Sequence, residues 1–466
     1  MRVLLVSPCK DFDSRKPKYL MIPQLALHLI AALTPPDYDV KIVEEETQDI
    51  NLEEECDLVG LSCMTSNAPR AYYLAQQFKK RGKTVVMGGI HPSILPDEAL
   101  RYADSVVIGE AEGVWGQLLE DFKNGRLQKK YHKPYPSLEK YLHIKNLKEI
   151  KKRLFNVIPV MTTRGCPFKC DFCSVHALFG PKVRHIPVDN VVRYMIDSGG
   201  KFFLFLDDNI IGDSLYAKDL FTEITPLGIK WVGQASISIV RNTELLRMAA
   251  SSGCNALFFG IETISKTQMM KLRKSVKSIE SIKEAIKKVE SFGIYFHASM
   301  IFGFDDDTKD IFPETLDFLE KNKISSASLN VLTPYPGTKI YTQYKREGRL
   351  IIDNWKHYDH KTVVYIPKNM TPFELQAGRL WVFKEFTKLS SIIRRFPFHL
   401  DHPLYHLAMN IGHRRAFKSE FNEFPMLASH LFPSDESIKA YKEYFSLSTF
   451  RFADFIPKNY VKTSTN

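Results

Sequence analysis

No run of apolar residues in this 466-residue chain approaches the roughly 18–20 needed to cross a bilayer, which excludes a spanning helix. Cysteine is scarce. The seven present, three of them clustered, cannot make a disulfide framework, and that usage fits a reducing cytoplasm. No fixed-period repeat and no low-complexity tract occurs, which sets aside a repeat architecture. The apolar start at Met1–Pro8 is too brief for a signal peptide and runs into Lys10 and Asp11, so it reads as a first buried strand. Acids are few between Lys123 and Arg153, where much of the net charge of +11 collects. That stretch reads as a solvated linker, and nothing else points to nucleic acid.

What is present is a soluble globular composition, 44% hydrophobic and 25% charged, with length for about three domains. Residues 1–135 alternate continuous Val/Ile/Leu runs with amphipathic helical patterns. This predicts a doubly wound α/β domain with a parallel sheet covered on both faces. The predicted strands are Arg2–Ser7, Val40–Glu44, Leu58–Cys63, Thr84–Gly88 and Ser105–Ile108. Ligands of such domains bind at the carboxyl ends of the strands. Those ends carry Thr65 and Ser66, Gly88-Gly89-Ile90-His91-Pro92 and Gly109-Glu110-Ala111-Glu112. A basic linker spans 136–154. Residues 155–370 hold six more strand and helix units, the pattern of an open, partial (β/α)6 barrel of TIM type. Residues 371–466 are mostly helical and aromatic-rich, beginning at the capped start Thr371-Pro372-Phe373-Glu374.

Three cysteines stand in the run Thr163-Arg164-Gly165-Cys166-Pro167-Phe168-Lys169-Cys170-Asp171-Phe172-Cys173, just past the first barrel strand. Thiolates at this C-x3-C-x2-C spacing can hold three irons of a [4Fe–4S] cubane. With no fourth cysteine nearby, the fourth iron is left to bind something else. A structural zinc site is the other reading, with His176 or His185 as fourth ligand.

Phe172 before the last cysteine completes a pattern that closely resembles the radical S-adenosylmethionine (SAM) superfamily. The resemblance implies that SAM chelates the open iron and is cleaved to a 5′-deoxyadenosyl radical. Later strand ends fit this. Asp207 and Asp208, Gln234 and Ser236 (with Ser238), and Glu262 are the expected SAM contacts beside Phe172. Phe304 and Asp305 stand where the superfamily commonly has Gly-Pro after the fifth strand.

The Gly-Gly-x-His-Pro and Gly-Glu-x-Glu turns, in a doubly wound domain ahead of such a barrel, resemble the cobalamin-binding radical SAM enzymes. That likeness covers roughly residues 1–370. It implies a corrinoid between the domains, contacted by Thr65, Ser66, Gly88, Gly89, His91, Gly109 and Glu110. The D-x-H-x-x-G loop that ligates cobalt in other corrinoid domains is absent, so no protein imidazole is expected beneath the metal. Cys9, after the first strand, is a candidate to face the corrinoid, whereas Cys56, Cys63 and Cys254 read as buried hydrophobes.

The expected activity is methylation of an unactivated carbon, with methylcobalamin as donor and a second SAM restoring it. The substrate would be a small or lipid-like molecule, and the electron donor a flavodoxin or ferredoxin. Tyr335, Tyr341 and His357 are candidate substrate contacts. Ring closure or rearrangement with the same cofactors is the first rival, and a non-catalytic iron–sulfur or corrinoid carrier the second. A methylthiotransferase is disfavoured, because the first half has no second cysteine triad. Phe396, Phe398, Tyr405, Phe417, Phe421 and Phe424 read as helical core or as an apolar pocket. Arg394, Arg395, Arg414 and Arg415 leave a membrane-surface dock open. A monomer or homodimer is expected.

Overall fold

The computed structural model describes residues 1–10, 22–139, 157–272, 278–398, 400 and 403–431, the last ten by backbone only. The basic linker from Lys140 onward, the Phe424 side chain and the tail past 431 lie outside the described residues.

The first sheet contains β1 (Arg2–Ser7), β2 (Asp39–Glu44), β3 (Leu58–Ser62), β4 (Thr84–Gly88), β5 (Ser105–Ile108) and β6 (Lys130–His132). It is parallel throughout, in the order β2-β1-β3-β4-β5-β6. This is a doubly wound order whose switch point lies between β1 and β3. Apolar side chains fill both faces: Leu4, Val6, Val59 and Met87 on one, Val3, Leu5, Val86 and Trp115 on the other. β6 corrects the sequence reading, which had no strand there. Only Tyr131 of its three residues is buried, with its hydroxyl on Asp121 at 2.9 Å, while Lys130 and His132 face out. One buried residue in three gives little periodicity to read.

The second sheet contains β7 (Val157–Val160), β10 (Phe202–Phe205), β11 (Lys230–Ala235), β12 (Cys254–Glu262), β13 (Tyr295–Phe302) and β14 (Ser326–Val331). All its neighbours are parallel, in the order β14-β13-β12-β11-β10-β7, which is the expected partial barrel. Phe203, Phe205, Trp231, Phe259 and Phe296 join the large core shared with the outer helices. On the other face, Val232, Ala256 and Tyr295 meet Leu400 and Tyr405 of the C-terminal region, which therefore closes the inner face of the barrel near the strands' amino ends. A short antiparallel ribbon of β8 (Thr163–Arg164) and β9 (Arg184–His185) was not anticipated. It pairs the two arms of the cysteine loop.

Candidate active site: a cysteine loop between two domains

The cysteine loop is fixed from below by one carboxylate. Asp207, just past β10, accepts hydrogen bonds from the Thr162 hydroxyl at 2.7 Å and the Thr163 hydroxyl at 2.6 Å, and from both backbone N–H groups at 3.2 and 2.5 Å. Burial raises its pKa, and those donors oppose the rise. Gly165 follows with φ of 95°, where a Cβ would come within 2.6 Å of the Lys182 carbonyl oxygen. Only glycine makes that turn without strain. Further along, Lys339 pairs with Asp171 at 3.0 Å, and the Ile340 N–H donates to the Asp171 carbonyl at 3.1 Å. The Phe172 ring meets Phe304 edge-on, with centroids 6.0 Å apart.

Cys166, Cys170 and Cys173 are all partly accessible. The Cys173 thiol is pushed up to about 11, first by burial and then by the negative charge of Cys170, Asp208 and Cys166 around it. The neighbouring Asp208 is raised to about 6, chiefly by burial, against the Gly165 N–H at 3.4 Å. Two histidines offered for a zinc shell are engaged elsewhere. His176 Nε2 lies 2.9 Å from the Phe168 carbonyl, and His185 pairs with Asp213 at 3.4 Å while stacking on Tyr216. Among the described residues no three His, Cys, Asp or Glu side chains form a shell for a single metal ion. A cubane makes no such demand, because each thiolate holds a different iron.

At the carboxyl ends of the other barrel strands, Gln234 is exposed and the Ser236 N–H donates to Asn209 Oδ1 at 2.9 Å. Glu262 and His360 both hold left-handed backbone conformations, with φ of 68° and 64°. Such non-glycine positions concentrate at working sites. Burial lowers the His360 pKa, while Asp359 and Glu262 pull it up, so Glu262 and His360 are electrostatic neighbours. Tyr335 stands edge-on to His360 at 5.0 Å and donates its hydroxyl to the Tyr358 carbonyl at 3.1 Å. Tyr341 approaches Trp355 instead, and His357 is buried. Asp305 is held by Arg349 and Lys368, each at 2.7 Å.

On the other side of the loop lies a cavity with about 900 Å3 of empty space, part of it open to solvent, and mostly apolar walls. Gly60, Ser62, Gly88, Gly89, Gly109 and Glu110 of the first domain line it, with Trp115 and the helix at Leu25–Leu33 behind them. Gly109 has φ of 79°, and a Cβ there would meet no atom within 4 Å. The far wall is Met161, Arg164, Leu178 and Phe179, so the helix directly after Cys173 closes the cavity. Arg164 forks between Glu110 and Glu112, and Arg184 also reaches Glu110.

Residues 160–319 match the radical SAM superfamily, and residues 22–119 match the B12 binding domain. The bacteriochlorophyllide d C-8(2)-methyltransferase of Chlorobaculum tepidum is 30% identical over 437 residues, covering 89% of this chain and 95% of the relative. The chain is a cobalamin-dependent radical SAM methyltransferase family member. The hopanoid C-2 methylase of Rhodopseudomonas palustris is 25% identical, over 76% of this chain and 72% of its own length. Among solved structures, the radical SAM methyltransferase TsrM of Kitasatospora setae, with cobalamin and a [4Fe–4S] cluster bound, superposes with a TM-score of 0.67 at 14% identity. That match covers 89% of this chain and 99% of TsrM.

The family's cofactors are a [4Fe–4S] cluster, SAM and cobalamin, and the residues present fit them. The three thiols, all partly accessible and at a spacing that lets each hold a different iron, suit a cubane. A large apolar cavity floored by glycines admits a bulky group close to the backbone.

Not every expected contact lies at that cavity. Gly88, Gly89, Gly109 and Glu110 line it, and the Glu110 carboxylate is turned to arginines. Thr65 and Ser66 form a short turn after β3, outside the lining residues. His91 is buried away from it, with Nε2 3.0 Å from the Tyr72 hydroxyl and 3.4 Å from Glu98, which also accepts from Trp355 Nε1 at 2.8 Å. Cys9 is wholly buried, and its thiol is pushed up to about 12 by burial and by Glu45. Such a thiol is inert. Sequence reasoning passed over Arg164 and Glu112, although both stood in quoted motifs. Their pairing joins positions 52 residues apart, and no spacing rule reaches that far.

Proposed function

We propose that this enzyme transfers a methyl group to an unactivated carbon of a largely apolar, lipid-like or polycyclic small molecule. When bound, the cluster and cobalamin supply one-electron cleavage of SAM and a methyl donor, and the chain's own residues aim and shield that chemistry. The observation that carries the reading is the shared wall: Leu178 and Phe179, five and six residues past Cys173, close the cavity that Gly88 and Gly109 floor. Two reaction centres joined by one short helix can act on one substrate without a large movement.

In this reading Phe172, Asp208, Gln234, Ser236 and Glu262 hold SAM, and Asp207 acts by positioning the loop through Thr162 and Thr163. Gly88, Gly89 and Gly109 admit the corrinoid, with Thr65, Ser66 and Glu110 bordering it and His91 setting the turn. Tyr335 and His360 face the substrate. The substrate class is supported by the apolar polycyclic molecules named for two relatives, a bacteriochlorophyllide and a hopanoid. A flavodoxin or ferredoxin would supply the electron.

The test uses the reconstituted, reduced enzyme with SAM deuterated at its methyl group and an extract of apolar metabolites. Label in a product supports methylation. A rearranged or cyclised product without label overturns it.

A further inference from the structure

We propose that the C-terminal helical region docks on an anionic lipid bilayer. Two helices there turn several apolar residues outward. In the described part of the helix Pro403–Leu431 the inward side mixes Tyr405 and Phe417 with the buried polar residues His406, Asn410 and Glu420. His406 Nε2 donates to the Ile392 carbonyl at 3.1 Å, and Asn410 Nδ2 donates to the Ser325 carbonyl at 2.8 Å. The outward positions are Leu404, 77% exposed, Leu407 and Ile411. An ordinary surface helix turns polar residues to solvent at such positions.

The neighbouring helix Leu389–Arg394 buries Ser391 and Ile392 and likewise exposes Leu389 and Ile393, and Phe398 beyond it is 85% exposed. Hydrogen bonds from His406 to Ile392 and from Arg395 to Asn410 hold the two helices side by side, so the exposed apolar residues lie on adjoining helices. An apolar surface of this kind marks an interaction site.

Charge identifies the occupant. Residues 388–418 contain six Lys or Arg and one Asp. Arg395 is fully buried, with its guanidinium on the carbonyls of Ile324, Ser325 and Phe386, which removes it from the surface set. Arg394 leans on Glu320 and Lys388 on Glu385. Arg415 and Lys418 are exposed, continuing the outward stripe one and two turns past Ile411. Apolar residues flanked by cations suit the headgroup and acyl boundary of an anionic leaflet. A second copy suits the surface less, because a two-fold contact would set its cations against their own images. No helix among the described residues is long and apolar enough to cross a membrane, so the contact is peripheral.

The experiment is co-sedimentation of the full-length protein with phosphatidylcholine vesicles, with and without phosphatidylglycerol. Binding should require phosphatidylglycerol and weaken with salt. Ile411→Glu and Leu407→Glu should each lower vesicle affinity about tenfold with an unchanged thermal midpoint. Leu404→Gln serves if either glutamate variant fails to fold. Two results overturn the proposal: wild-type protein that ignores phosphatidylglycerol, or a dimer in solution that Ile411→Glu splits while vesicle binding stays absent. Neither readout needs turnover, so the outcome is independent of the proposed reaction.

Discussion

Arg164 and Glu110 belong to different domains and share a buried ion pair two residues before the first cysteine of the cluster loop. Glu112 takes the other arm of the guanidinium, and Arg184, paired to Arg164 across the β8–β9 ribbon, closes on Glu110 from the opposite side. The apolar cavity and the cysteine loop therefore share one electrostatic joint. Breaking it leaves buried charge uncompensated, which typically costs about 3–5 kcal/mol.

Arg164→Met should accordingly destabilise the apoprotein by about that amount and weaken cobalamin binding as well, because Arg164 lines the cavity. Denaturant unfolding gives the first quantity, and the absorbance change on titrating hydroxocobalamin gives the second. Stability and affinity both matching the wild type would dismantle the joint.

Stability should also carry a pH signature from Asp307. Burial raises this carboxyl to about 7, against hydrogen bonds from the Gly303 and Phe304 N–H groups at 2.8 and 3.0 Å. Between its unfolded value of 3.8 and about 7 the folded chain holds a proton that the unfolded chain has released. The contribution is therefore full below the unfolded value and is lost as pH rises through the folded one, at up to about 1.4 kcal/mol per unit. Asp307→Asn, which cannot ionise, should flatten that decline in a urea series measured across this window. Parallel wild-type and variant curves would show that Asp307 does not hold the proton.

Gly303 should tolerate no side chain. Its φ is 101°, and a Cβ would fall 2.2 Å from the Tyr365 hydroxyl oxygen and 2.6 Å from a Leu375 methyl. Tyr365 donates that hydroxyl to the Gly303 carbonyl at 2.5 Å, and both neighbours are fully buried, so neither can yield. Gly303→Ala should cost more than the roughly 1–3 kcal/mol of backbone strain alone. It should also shift Phe304 off Phe172. Calorimetry would read the loss, and an unchanged melting temperature would rule it out.

Much of this was legible in the chain itself. Continuous runs such as Val3–Val6 and Phe202–Phe205 name buried parallel strands, because both of their faces are covered. The cysteine triad announces its chemistry through local spacing. Asp207 illustrates the limit of that reading. A carboxylate at a strand end looks the same in sequence whether it meets a ligand or, as here, the hydroxyls of Thr162 and Thr163, 45 and 44 residues earlier. His91 and Cys9 fail to reach the cavity for the same reason, since their partners Tyr72 and Glu45 stand 19 and 36 residues away in the chain. The outward Leu404, Leu407 and Ile411 of the helix Pro403–Leu431 were hidden because aliphatic residues suggest core wherever they point.

The most direct test of the account is the electron paramagnetic resonance spectrum of the anaerobically reconstituted, reduced protein before and after SAM is added, read together with 5′-deoxyadenosine release. The account predicts a [4Fe–4S] signal that changes on SAM binding, release of the nucleoside, and loss of both in Cys166→Ala, Cys170→Ala and Cys173→Ala. Bound zinc with no such signal, or nucleoside release that survives any one of those substitutions, would contradict it.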